Sequence, residues 1–264
     1  MNQTFSNPRQ LRELALLVAL PTFNEEGALP KLLPAIFAAL PERGGLLVVD
    51  DGSADRTAAL VEEQMAEHPV ALLRHGVNRG LAAAMRSIMN AAPDLLAADG
   101  ALVVMDADAT HSPTQIAELR ERAAQGFDVV ICSRYATGGE VRGVPAYRRW
   151  LTGGSKFIYR AFLGRPPALD LSCGYRLYRA PLLRRAAQVY GEGFIISAGF
   201  GVMVEIITKL SWLGARVAEI PLRLRYDLKT SPSRMRLWHT ALEYLGLLWR
   251  MRQMKDHVLE STRR

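Results

Sequence analysis

Cysteine is scarce: the 264-residue chain holds two, Cys132 and Cys173, without metal-ligand spacing. That excludes a disulfide scaffold and a cysteine zinc site, and it suits a reducing cytosol. No apolar run reaches the roughly 18 residues of a spanning helix, and the opening MNQTFSNPRQLRE is polar where a secretory leader would be apolar. Internal repeats and low-complexity tracts are absent. Neither G-x-x-x-x-G-K-[ST] nor G-x-G-x-x-G follows the first strand pattern, which sets aside the NTPase and dinucleotide readings. There is no obvious Ser/His/Asp triad. The aromatic–basic pattern of RNA-binding modules is also missing, so no nucleic-acid partner is expected.

Hydrophobic residues make up 49% and charged residues 22%, ordinary for a globular protein. The first half alternates short apolar runs with helical patterns. The runs are LALLVAL (14–20), GLLVVD (45–50), VALLRH (70–75), GALVVMD (100–106) and FDVVICS (127–133). Helical spacing occupies 25–40, 55–68, 79–92 and 112–125. Continuous apolar strands separated by helices imply a doubly wound, mostly parallel α/β sheet with helices on both faces. Such sheets bind ligands beyond the carboxyl ends of their strands. The second half is less regular, with helical patterns at 150–164, 181–189, 199–214 and 236–258 and a strand pattern at 215–226. The net charge of +7 conceals an asymmetry. Residues 1–133 hold 10 Lys/Arg against 17 Asp/Glu, and residues 134–264 hold 23 against 9. A basic half suits phosphate or anionic lipid.

Acidic residues gather at the strand ends. VVMDADATHSP carries Asp106 and Asp108 one residue apart, and VVDDGSADRT carries Asp50 and Asp51. Like charges this close oppose ionisation unless a cation or base lies between them. Helix capping by Ser53 or Asp55, with Gly52 in the turn, explains part of DDGS but not the tandem aspartates beside a second acidic pair. His111 reads as a local hydrogen-bonding residue rather than a third ligand.

The ordered set PTFNEE, VVDDGSADRT, NRGLAAAMRSI, VVMDADATHSP, SRYATGG, DLSCGYRLYR and EIPLRLRY…SPSRM resembles the family 2 inverting glycosyltransferases with the GT-A fold. It is most similar to their dolichyl- and polyprenyl-phosphate members, the subgroup of dolichol-phosphate mannose synthase. The resemblance spans about 12 to 236. It implies that Pro21, Phe23, Asn24 and Glu25 line a nucleotide pocket with Asp50, Asp51, Gly80 and Ala107. It implies that Asp106 and Asp108 hold Mg²⁺ or Mn²⁺ against the donor diphosphate. Ser133, Arg134, Arg148 and Thr152 would serve phosphates. Asp170 and the turn Ser172, Gly174, Tyr175 would meet the sugar. Glu205 would lie on the acceptor side, and Lys229, Ser233 and Arg234 would form a closing loop. Departures from the family pattern are Thr110 where Gln is frequent, Thr152 where Ser is, and DLKTSPSRM for the usual loop.

The resemblance implies metal-dependent transfer of a sugar from a nucleotide-sugar, with GDP-mannose and UDP-glucose leading, to a polyprenyl phosphate. Two alternatives stay open: a soluble or protein-linked acceptor, and an inactive scaffold. The expected organisation is a tail (1–13), a GT-A domain (14–235, with nucleotide half 14–133 and acceptor half 134–235) and a C-terminal amphipathic helix (236–264). Trp238, Leu242, Leu245 and Trp249 fall on one helical face, with Arg250, Arg252 and Lys255 close behind. That pattern is expected to bring the protein peripherally to the cytoplasmic face of a membrane.

Overall fold

Each apolar run of the first half becomes a strand because it is buried on both sides. In β2 (Leu14–Thr22), residues Leu16 to Leu20 are fully enclosed, and β3 (Gly44–Asp50) is buried along its whole length. The computed structural model describes residues 4–6, 11–142, 157–199, 201–225 and 237–261. Its main sheet has eight strands. They are β1 (Thr4–Ser6), β2, β3, β4 (Val70–Arg74), β5 (Leu96–Val104), β6 (Val129–Ser133), β8 (Arg176–Arg179) and β9 (Val217–Pro221), in the order β1-β4-β3-β2-β5-β8-β6-β9. A separate parallel pair joins β7 (Glu140–Arg142) to β10 (Arg223–Arg225). The helices are α1 (Leu29–Ala39), α2 (Thr57–Glu63), α3 (Leu81–Leu95), α4 (Gln115–Ala124), α5 (157–163), α6 (Ala180–Tyr190), α7 (Val202–Trp212) and α8 (Leu237–Ser261).

β4, β3, β2 and β5 run parallel, as the pattern predicts. β6 is not their next neighbour. β8 lies between β5 and β6 and is antiparallel to both. An antiparallel strand starts where its parallel neighbours end. The turn before β8, residues 170–175, is therefore delivered to the carboxyl edge beside Asp106. The strand expected over 215–226 divides at Leu222 into β9 and β10, which join different sheets.

Long-range arginine contacts tie the halves together. Arg184 of α6 donates to the carbonyl of Pro93 in the last turn of α3 and to those of Leu96, Ala97 and Ala98 at the start of β5. α8 packs inward through a face beside the expected stripe. Its buried face is Leu247, Leu248 and Met251, while Leu245 (39% exposed) and Trp249 (56% exposed) point outward. Part of its basic cluster serves the fold. Arg252 donates to the carbonyls of Ala161 and Phe162, and Lys255 donates to that of Leu163, which caps α5. Among the described residues no helix is long and apolar enough to cross a membrane.

Candidate active site

The loops after β2 and β3 are joined by their own polar groups. Asn24 N–H donates to Ser53 Oγ (2.9 Å), and Ala54 N–H donates back to Asn24 Oδ1 (2.8 Å). Glu25 N–H donates to Thr57 Oγ1, and Arg56 N–H donates to Glu26 Oε2. Asp55 accepts from Thr57 N–H one residue before the N-cap of α2, which is Arg56, so the expected cap is replaced by a local turn bond. Asn24 sits at φ 54, a left-handed conformation that Asn tolerates better than most residues. Pro21, Phe23, Asn24 and Glu25 form the partly exposed lip of this edge.

Asp50 and Asp51 are both buried. Asp50 Oδ1 accepts from Ser53 N–H at 3.0 Å. Asp51 faces the segment after β4. Its Oδ1 accepts from His75 Nδ1 (2.6 Å) and Arg79 N–H (3.0 Å), and its Oδ2 accepts from Gly80 N–H (2.7 Å). His75 Nε2 meets Ser87 Oγ at 2.8 Å. Gly52 must be glycine: its φ is 79, and a Cβ there would strike the backbone of Val77 and Asn78. Gly80, at φ 84, opens α3. The sequence reading did not single out His75 or Ser87. A titratable residue directly after a parallel strand was the available signal.

The second acidic pair is held differently. Asp108 is buried and accepts from the N–H (3.1 Å) and Oγ1 (2.6 Å) of Thr110. Ala109 between them adopts φ 59, a strained choice for a residue with a Cβ. Asp106 has a side chain 47% exposed, and its N–H donates to His111 Nδ1 at 3.2 Å. An accepting Nδ1 puts the imidazole proton on Nε2, which faces Asp106 Oδ2 at 3.8 Å. His111 stacks on Tyr175 with ring centroids 5.0 Å apart, and Tyr175 O–H donates to Ser112 O. A Cβ on Gly174 would stand 3.1 Å from Asp106 Oδ1, so the turn before β8 approaches the carboxylate closely. Among the described residues no three His, Cys, Asp or Glu side chains could together hold a metal. A cation here would complete its shell from a ligand.

On the other flank Arg134, just after β6, makes a bidentate pair with Asp170. Nε reaches Oδ2 and Nη2 reaches Oδ1, both at 2.8 Å, and Nη2 also donates to Ser172 Oγ at 2.7 Å. Burial pushes the Asp170 carboxyl up, but the hydrogen bonds and charge of Arg134 outweigh it and hold the group at about 2. The same pairing raises Arg134, whose guanidinium stays charged. Glu219 supports the turn by accepting from the N–H groups of Leu169 and Asp170.

Several expectations need correction. Asp170 is fully buried, so it orients Arg134 instead of meeting a sugar. Tyr175 is buried beneath His111. Ser133 is buried and accepts from Tyr135 N–H. Ala107 is buried, whereas Ser172 is exposed. Glu205 does not reach an acceptor side. It is fully buried, accepts from Ile196 N–H and Ser197 N–H, and pairs with Lys209 at 2.6 Å. Lys209 also donates to the carbonyls of Gly193 and Phe194, so the pair pins 193–197 to α7. Arg148, Thr152, Lys229, Ser233 and Arg234 lie outside the described residues.

Asp50, Asp51, Asp106, Asp108 and Arg134 lie at the carboxyl edge of the parallel strands, where β8 delivers its opening turn. Residues 17–186 match glycosyl transferase family 2. The chain belongs to glycosyl transferase family 2. It is 34% identical over 214 residues to an undecaprenyl-phosphate mannosyltransferase of Micrococcus luteus, covering 79% of this chain and 83% of that protein. It is 32% identical over 208 residues to a polyprenol monophosphomannose synthase of Mycolicibacterium smegmatis, covering 78% and 76% respectively. Among solved structures, glucosyl-3-phosphoglycerate synthase of Mycobacterium tuberculosis with Mn²⁺, UDP-glucose and phosphoglyceric acid superposes with a TM-score of 0.61 at 18% identity. That match covers 93% of this chain and 81% of that one. The likeness establishes the GT-A architecture of this family 2 glycosyltransferase.

Proposed function

We propose that the protein transfers a hexose from a nucleotide-sugar to a polyprenyl phosphate with inversion at the anomeric carbon. One observation carries the reading above the others. The half-exposed Asp106 and the partly exposed, always-charged Arg134 flank a single turn, residues 170–174, at the edge where this fold binds ligands. An anionic donor can be gripped there from both sides.

The donor set fits a divalent cation. Mg²⁺ and Mn²⁺ favour carboxylate oxygens, and Mg²⁺ is commonly held by one or two carboxylates plus substrate phosphates. Asp106 and Asp108 would hold it, and the bound ion would supply Lewis-acid stabilisation of the departing diphosphate. Thr110 and the turn at Ala109 fix Asp108, while His111 fixes the backbone of Asp106. Arg134, held rigid by Asp170, presents charge where negative charge grows as the glycosidic bond breaks. The acceptor phosphate is already an anionic nucleophile, so no general base is required. Its oxygen attacks the anomeric carbon as the bond to the diphosphate breaks, and a nucleoside diphosphate leaves. The chain's task is to align donor and acceptor.

GDP-mannose and UDP-glucose are the donors of first choice; the two mannosyl-transferring relatives favour the former. The outward Leu245 and Trp249 of α8, with the neighbouring Arg250, suit peripheral contact with a membrane that carries the acceptor. The test incubates the protein with polyprenyl phosphate, Mn²⁺ or Mg²⁺, and each radiolabelled nucleotide-sugar in turn. Label entering the organic phase with one donor is expected. Donor turnover only with water-soluble acceptors would overturn the lipid assignment.

A further inference from the structure

We propose that His75 and Ser87 are positioning residues of the donor site: they act on it only through Asp51. The inference rests on the donor reading above. The chain of contacts runs Ser87 Oγ to His75 Nε2 (2.8 Å), then His75 Nδ1 to Asp51 Oδ1 (2.6 Å), then Asp51 to the N–H groups of Arg79 and Gly80 (3.0 and 2.7 Å). The imidazole is completely buried and the carboxylate nearly so.

The arrangement fixes its own protons. Asp51 accepts two backbone N–H groups, so it is the acceptor toward His75, and Nδ1 carries a proton. Ser87 O–H can then donate to Nε2 of the neutral ring, or its oxygen can accept from the charged one. The ring is held in one orientation in either case. A short Asp51–His75 contact in a water-excluded position sets the angle of the carboxylate. The carboxylate in turn sets the backbone of residues 79 and 80. Gly80 has φ 84, which only an external restraint or glycine's freedom sustains, and it begins α3. The other side of the same turn rests on Gly52, where no Cβ would fit. The turn 76–80 is thus gripped from two sides by the Asp51–Gly52 pair. It lies at the same sheet edge as the lip formed by residues 21–25, with the end of β3 between them. A wall of a nucleotide pocket built in this way owes its shape to a histidine that no nucleotide would touch.

This role makes a distinctive kinetic prediction. A residue that only shapes the donor wall alters donor binding and spares kcat, whereas Asp106, Asp108 and Arg134 both grip the donor and act on the charge that develops during transfer, so their loss lowers kcat as well. A merely structural histidine would lower thermal stability and leave donor affinity alone. Three variants separate these cases: His75→Phe, which keeps the ring volume without nitrogens; His75→Asn, whose amide can replace the Nδ1–H donor; and Ser87→Ala. Calorimetric binding of GDP and UDP with Mn²⁺ is measured on each, together with the donor KM, kcat and melting temperature. His75→Phe is expected to weaken nucleotide binding and raise donor KM by about tenfold or more, the usual scale for losing a group that orients a ligating residue. Its kcat should stay within about twofold. Ser87→Ala should show a smaller loss in the same direction, and His75→Asn should recover most of the affinity. If His75→Phe does not fold, Ser87→Ala and His75→Asn decide the matter alone. Wild-type donor affinity in the folded variants, or a fall in kcat with unchanged KM, would overturn the proposal. Absence of nucleotide binding by the wild type would instead overturn the donor reading itself.

Discussion

Asp50–Asp51 and Asp106–Asp108 are two acidic pairs on neighbouring regions of one sheet edge, and they are solved in opposite ways. The first pair is buried and answered by the protein: Ser53, His75, Arg79 and Gly80 supply its donors. The second pair is held by sequence-local contacts, from Thr110 and His111, and leaves Asp106 half exposed. An acidic pair furnished with internal donors builds the site. A pair held in place with one carboxylate left open to solvent is available to bind a cation. The motif spelling alone does not separate the two cases; the hydrogen bonds do.

Breaking the open pair should have the largest effect on activity. Asp106→Ala is expected to lower kcat/KM by about a thousandfold, within the range for removing a preorganised charge-stabilising group. Its melting temperature without metal should change little, because Asp106 makes few internal bonds. A variant with near-normal steady-state turnover would place the reaction elsewhere.

The Arg134–Asp170 pair sharpens the contrast, because here a charge is buried and paired. Arg134→Ala strips Asp170 of its cation while leaving it fully enclosed. Breaking such a pair costs about 3 kcal/mol or more, visible as a clear drop in denaturant midpoint. The donor-binding defect should accompany it. An unchanged midpoint would mean that the backbone donors of Ser172 and Cys173 suffice for Asp170.

The same pair predicts a smaller, pH-dependent term. Asp170 is held at about 2 in the fold against 3.8 when unperturbed. Its contribution is therefore complete above the ordinary carboxylate value and is lost as pH falls toward 2. The depression corresponds to about 2 kcal/mol. Comparing the wild type with Asp170→Asn by urea unfolding between pH 5 and pH 2 isolates it. The gap between the two should close on acidification, and a gap independent of pH would contradict the assignment.

The parallel strands and the acidic carboxyl edge were legible in the sequence because continuous apolar runs and strand-terminal aspartates are local signals. β8's antiparallel insertion was not legible, because strand order depends on long-range packing rather than on the residues of RLYR. Arg134 was legible through its motif; its dependence on Asp170 and Glu219 came from contacts across 36 and 49 positions. Glu205 was misjudged because its partner Lys209 lies on the same apolar helix. The i,i+4 spacing made the ion pair available, and only burial decided in its favour. On α8 the spacing alone did not say which face packs inward. Two adjacent faces of one helix are apolar, and packing chose Leu247, Leu248 and Met251.

That choice leaves the smallest predicted effect. With Trp249 outward, the protein should float with anionic liposomes at low salt and less at high salt, at about 1 kcal/mol per basic residue near the surface. Trp249→Glu should weaken flotation without lowering the melting temperature. Flotation unaffected by the substitution would remove this face of α8 from membrane contact.

The central contrast is tested most directly by calorimetric binding of GDP and UDP to the wild type and to Asp108→Asn, each with Mn²⁺ and with a chelator. The wild type is expected to bind one of these nucleotides at least about tenfold more tightly with Mn²⁺, a gap of about 1.4 kcal/mol, and Asp108→Asn to bind it equally weakly in both conditions. Equal binding by the wild type with and without metal would contradict the account, since the open acidic pair would then have no cation to hold.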